Sequence, residues 1–220
     1  MKKPVVGTLL CLAVLTATFA LPAAAAGHPS RLVHTKKGPV TRFVQPEALY
    51  KIYNNLTNDP TNLYNCCSGY IISGVDSVFG YSYAEAQAFT PKHNAKITEV
   101  ETGMSYYGYG ANQVDISVYS DNAGTPGTLL ATGTATNLQT FGSCCALATV
   151  TVSPALLVMK GTQYWIVGDT PTSGTGSDSI DVWNAALGGP TVGYDYDNTG
   201  WYSYAWGNGY AMAVLGHKHK

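Results

Sequence analysis

From residue 70 onward, apolar and polar positions alternate over short stretches. Val114, Ile116 and Val118 interleave with Asp115, Ser117 and Tyr119, the period of two that a half-buried strand requires. Val100, Thr102, Met104 and Tyr106 interleave in the same way with Glu99, Glu101, Gly103 and Ser105. The run from Gln163 to Val167 is apolar on both faces and predicts a central strand. Val150 with Val152, Ile180 to Trp183, and Ala211 to Leu215 predict further strands. Between them lie Asp121-Asn122-Ala123-Gly124, Pro126-Gly127, Gly188-Gly189-Pro190 and Asn198-Thr199-Gly200, all of them turn chemistry. One short helix is expected over Pro46 to Asn54, with the proline in its first turn. No repeat of fixed period is present. Eight to ten strands with frequent turns predict an all-β fold: a two-sheet antiparallel β-sandwich, jelly-roll-like.

The start of the chain reads differently. Lys2 and Lys3 precede a charge-free apolar run from Val5 to Leu21, which Pro22 breaks ahead of Ala23 to Ala26. This is the pattern of a secretory signal peptide over residues 1–26, cleaved after Ala26, so no membrane span is expected in the mature protein. Localisation outside the cell follows. Charged residues are only 11% of the chain, which excludes a basic nucleic-acid binder, a charge-rich disordered tail and a coiled coil. What charge there is divides unevenly. Residues 27–50 form a basic arm with His28, Pro29, Gly38, Pro39 and Pro46, which suit extended chain. The expected sandwich, residues 51–216, is mildly acidic, and residues 217–220 form a short tail with His217 and His219 between lysines.

Cleavage would remove Cys11 and leave two vicinal pairs, Cys66-Cys67 and Cys144-Cys145. An even number in an exported chain predicts disulfides. Adjacent α-carbons sit about 3.8 Å apart, closer than the roughly 4.4–6.8 Å that disulfides favour, so bridges from one pair to the other are expected. Each would close a loop of about 80 residues, worth roughly 4–5 kcal/mol for the first bridge on loop-closure entropy. A four-thiolate zinc site is the rival, but zinc sites space their cysteines by two to four residues.

Three segments together carry a likeness. They are Ala86-Gln87-Ala88-Phe89-Thr90-Pro91, then Val118 to Leu130 (VYSDNAGTPGTLL), then Gly161-Thr162-Gln163-Tyr164-Trp165-Ile166-Val167. In this order they resemble the secreted bacterial β-sandwich domains called choice-of-anchor domains, over residues 50–216. The cysteine pairs, in YNCCSG and FGSCC, resemble a subgroup of that family. The resemblance implies export and a jelly-roll-like sandwich, and it implies no established reaction. The chain closes on Leu215-Gly216-His217-Lys218-His219-Lys220 without a sorting motif, so release is expected rather than surface anchoring.

The richest candidate site is Gly193 to Tyr210. Its Tyr194, Tyr196, Trp201, Tyr202 and Trp206 offer faces on which sugar rings stack, and Asp195 and Asp197 offer hydrogen bonds to hydroxyls. The competing reading is that these aromatics pack between sheets, as strand residues do. Asp121 and Asn122 are a candidate calcium turn, as are the pairs Asp178/Asp181 and Asp195/Asp197, although none forms an EF-hand loop and Asx turns explain the first pair without an ion. Glu99 and Glu101 share one face of a strand about 7 Å apart, a spacing that glycosidases use for their carboxylates. No nucleophile elbow, zinc-protease motif or phosphate loop is present. Asn55-Leu56-Thr57 is a glycosylation sequon, relevant only in a host that reads it. The sequence therefore predicts a secreted, non-catalytic binding or structural module with an extracellular glycan as candidate partner. It calls for no nucleic acid and no cofactor beyond a structural calcium. The alternatives are a glycan-active hydrolase using Glu99 and Glu101, and a matrix or surface protein without a small ligand.

Overall fold

Alternation decides which side of each strand is buried, and the buried sides meet between two antiparallel sheets. The computed structural model describes residues 49–186, 192–196, 198–204 and 209–219, all within the unit Pro46–Lys220. Residues 1–48, Gly188-Gly189-Pro190, Asp197 and Trp206 lie outside the described residues, and with them the expected signal peptide and nearly all of the basic arm.

In chain order the strands are β1 (Tyr50–Asn54), β2 (Asn65–Ser73), β3 (Tyr83–Phe89), β4 (Ala95–Thr102), β5 (Met104–Tyr109), β6 (Gln113–Asn122), β7 (Thr125–Thr136), β8 (Ala148–Val158), β9 (Tyr164–Asp169), β10 (Ile180–Ala185), β11 (Val192–Tyr196), β12 (Trp201–Tyr204) and β13 (Met212–Lys218). The smaller sheet runs β1-β13-β4-β8 and the larger β5-β10-β2-β3-β9-β6-β7, with β11 also paired to β3 and β12 to β11. This is an all-β antiparallel sandwich. Its main core holds Ile72, Phe89, Met104, Ile116, Ile166 and Trp183 from the larger sheet, against Ile97, Val100, Val150, Met212 and Val214 from the smaller.

Several local readings are corrected. Tyr50–Asn54 is a strand, not part of a helix: it pairs with β13 at the edge of the smaller sheet, and that pairing outweighs the local helical signal. The alternating stretch from Glu99 to Tyr106 belongs to two strands in different sheets. The chain crosses at Gly103, where a Cβ would meet the Ala211 Cβ at 2.9 Å and the Tyr64 ring at 3.0 Å. Only glycine lets the corner pass this close. Its N–H donates to the Ala211 carbonyl, and its own carbonyl accepts from the Asn184 N–H and, at 2.6 Å, from the Asn184 side chain. Pro126-Gly127 lie inside β7, not in a turn, where the register with β6 slips. Ser120 Oγ accepts the Thr128 N–H there, as bulges require. The turn itself is Ala123-Gly124, both at positive φ, the two-residue hairpin geometry. His217 and Lys218 continue β13 rather than forming a tail.

Candidate ligand-binding edge

The connection from β2 to β3 is held rigidly. The Gly74 and Asp76 N–H groups donate to the Ser179 and Ser177 carbonyls, and Ser177 Oγ donates to Asp76 Oδ2 at 2.7 Å. Ser73 Oγ donates to the Tyr81 carbonyl. On this frame stand aromatic residues at every second position. The Phe79 and Tyr81 rings stack 5.8 Å apart at 18°, and Tyr81 meets Tyr83 edge-on at 5.6 Å. Val78 is 72% exposed and Phe79 37%. Beside them opens a cavity of about 200 Å³ lined by Val75, Ser82, Asp169, Thr170, Thr172 and Asn198. Asn198, in the β11–β12 turn, donates through Nδ2 to Ser82 Oγ at 3.3 Å. Partly exposed aromatic rings next to hydroxyl, amide and carboxylate groups are the two halves of a sugar site.

The sequence-predicted aromatic cluster falls on β11 and β12. Tyr196 lies opposite Tyr83, Tyr194 opposite both Glu85 and Tyr202, and Asp195 opposite both Ala84 and Trp201. Trp201 is half-buried and packs with Tyr119 against Ala86, Ala88, Trp165 and Val167 on the outer face of β3 and β9. Tyr202 is 53% exposed. Trp201 and Tyr202, adjacent in the strand, thus point to opposite sides, one into packing and one into solvent. Phe79, Tyr81, Tyr83 and Asp169 were not among the sequence candidates; the period-two aromatic spacing of Phe79-Gly80-Tyr81-Ser82-Tyr83 was the available signal.

Glu99 and Glu101 do share a face, the outer side of the smaller sheet, in register with Leu215 and Ala213 on one side and Thr151 and Thr149 on the other. Burial and the neighbouring Glu99 charge push the Glu101 carboxyl up, while Lys51 pulls it down. Neither glutamate lines the cavity at Ser82, a cavity of about 260 Å³ between the ends of β7 and β8, or one of about 260 Å³ at Tyr64 and Cys66.

Asp121 is occupied by the protein's own donors. Its Oδ1 accepts from Trp165 Nε1 at 2.8 Å and Gln163 Nε2 at 2.7 Å, and Oδ2 accepts the Gly124 N–H. These bonds hold its carboxyl below the usual range, against the opposing effect of burial. Asp178 accepts the Ala111 N–H, and Asp181 is buried. Among the described residues no cluster of three or more His, Cys, Asp or Glu side chains is arranged to hold a metal ion. Asp121→Ala should strand the buried Trp165 N–H and cost roughly 1–3 kcal/mol. The wild-type melting temperature should be the same in EDTA and in millimolar calcium; a rise with calcium would contradict this account of the turn.

The cysteines depart from the expected pairing. Cys144 and Cys145 are bonded to each other, and Cys66 and Cys67 are free thiols. Extended backbone in β2 keeps the latter two sulfurs 3.8 Å apart, whereas Cys144 and Cys145 sit in the β7–β8 loop, outside any strand. The two pairs are nonetheless brought together. Cys66 and Cys145 pack on one small cluster around Tyr64, Ala186 and Ala211, and the Gly142 N–H donates to the Cys66 carbonyl.

Comparison with known proteins adds no relative: no family model matches the chain, and no curated protein or solved structure is significantly similar to it.

Proposed function

We propose that this protein is an exported, non-catalytic binding module for polysaccharide. A glycan chain lies along Phe79, Tyr81 and Tyr83, and Ser82, Asp169 and Asn198 supply hydrogen bonds to its hydroxyls. The observation that carries this reading is the run of ring neighbours 5.6–5.8 Å apart beside a cavity edged by Ser82, Asp169 and Asn198 on a braced connection. Aromatic rings offer apolar stacking area at low entropic cost, and the polar groups add orientation. The low charge of the chain fits a neutral ligand better than a polyanion. Export rests on the charge-free apolar run and alanines of residues 1–26.

Calorimetric titration against a panel of soluble neutral and acidic polysaccharides tests this. Binding to at least one neutral glycan is expected, weakened about tenfold or more by Asp169→Ala, equivalent to roughly 1.4 kcal/mol. Absence of binding across the panel contradicts the proposal.

A further inference from the structure

The loop that carries Cys144 and Cys145 is pinned against β2 and β5. The Phe141 N–H donates to the Tyr106 carbonyl, and the Tyr106 N–H to the Gln139 carbonyl. Gln139 holds the loop from within: Nε2 donates to the Tyr64 hydroxyl and to the Ser143 carbonyl, and Oε1 accepts the Ala146 N–H at 2.9 Å. Tyr64 Oη in turn donates to the Ala146 carbonyl at 2.7 Å. The sulfurs of this loop therefore face the segment that leads into β2: Cys145 Sγ is 3.6 Å from the Thr61 carbonyl oxygen and Cys144 Sγ 4.0 Å from that of Tyr64. Two residues on stands the dithiol. Cys66 lines the cavity of about 260 Å³ with Thr57, Asn62, Tyr64 and Asn65, and Cys67 is exposed. A disulfide and a dithiol packed on one small cluster around Tyr64, Ala186 and Ala211, with an open cavity at one thiol, are the components of exchange chemistry.

We propose that Cys66, Cys67, Cys144 and Cys145 form one thiol–disulfide exchange centre, which a small external disulfide entering at Cys66 converts into two bridges between β2 and the β7–β8 loop. The first step needs no oxidant. A thiolate of the Cys66-Cys67 pair attacks one sulfur of the Cys144–Cys145 bond. A new sulfur–sulfur bond forms, the old one breaks, and the displaced sulfur leaves as a thiolate that takes up the proton. Two thiols remain, one in each pair. An external disulfide such as oxidised glutathione then accepts their two electrons and two protons: one thiolate attacks it and releases one molecule of reduced glutathione, and the second protein thiolate displaces the other. Burial and the neighbouring Cys67 push the Cys66 thiol up, which lowers its thiolate fraction and slows the attack. The centre is independent of the proposed glycan edge.

Peptide mapping decides it. Intact protein is incubated with oxidised glutathione, blocked with an alkylating agent and digested with trypsin without reduction. Residues 52–92 and 97–160 lie on separate tryptic peptides, so bridges between the pairs leave them joined. The expected result is the joined species, free of alkylation and about 4 Da lighter than the sum of the reduced peptides. The joined species should disappear on reduction. Separate peptides, whether each holds an internal bond, an alkylated thiol or a glutathione adduct, overturn the proposal. A Cys144→Ser/Cys145→Ser variant keeps the assay informative: its 52–92 peptide must run alone.

Discussion

The protein is expected to become less stable as pH rises from about 4.5 to 8. Two carboxyls inside the sandwich are responsible. Glu85, on β3, points into the core and accepts the Tyr210 hydroxyl at 2.6 Å. Burial pushes it up to about 8, although the Tyr210 bond favours the charged form. Asp181, on β10, is fully buried opposite Ile72 and Tyr106. Neither of its oxygens has a hydrogen-bond partner, and burial raises it to about 8. The folded protein therefore keeps two protons that the unfolded chain releases above its ordinary carboxyl range. Stability from this source is fully present below that range and falls as pH rises through the folded values, because the native state binds more protons. Each group is worth on the order of 4 kcal/mol across the interval. Melting should thus fall by about 10 °C or more between pH 5 and 8. Glu85→Gln and Asp181→Asn should each flatten the profile in part, and the double variant should flatten it most. A melting temperature that climbs toward neutrality would refute this picture of the core.

Trp183→Ala should be among the most damaging single substitutions. The side chain has no exposed surface, meets the Tyr210 ring at a 39° tilt with centroids 5.0 Å apart, and donates through Nε1 to the Ala211 carbonyl at 2.9 Å. That bond ties β10 of the larger sheet to the approach to β13 of the smaller. Removing the ring creates a cavity and takes one of two donors from the Ala211 carbonyl, which keeps the Gly103 N–H, a loss of roughly 3–5 kcal/mol and about 10 °C in melting. Trp201→Ala is the informative comparison. Half-buried over Ala86 and Ala88, it should cost on the order of 1–2 kcal/mol. An unchanged melting temperature would instead identify Trp201 as an open platform residue.

These positions also show what the sequence could and could not disclose. β6 and β9 are legible because each has one unambiguous pattern: half-buried alternation, or an apolar run flanked by turn residues. β3 is hidden. Its Ala-Glu-Ala-Gln-Ala core has the composition of a helix, and only the tertiary setting explains it. The alanines make room beneath Trp165 and Trp201, while Glu85 and Gln87 face Tyr210, whose hydroxyl and N–H they accept. The corner at Gly103 is hidden for a different reason: alternation persists across it, so period alone cannot reveal that the chain changes sheets. For the candidate site, the residue types were legible but their placement was not. Trp201 and Tyr202 read equally as ligands; their opposite fates depend on the packing of Trp201 over Ala86 and Ala88 of β3, more than a hundred residues away in the sequence. That the two cysteine pairs come together was suggested by their even number, and their bonding was not legible.

The most direct test of the glycan-binding claim is a side-by-side calorimetric titration of wild type, Phe79→Ala/Tyr81→Ala and Tyr202→Ala with one bound polysaccharide. The account predicts loss of binding in the double variant, with its melting temperature within a few degrees of wild type, and near-normal affinity in Tyr202→Ala. Full affinity in a folded Phe79→Ala/Tyr81→Ala protein would contradict it.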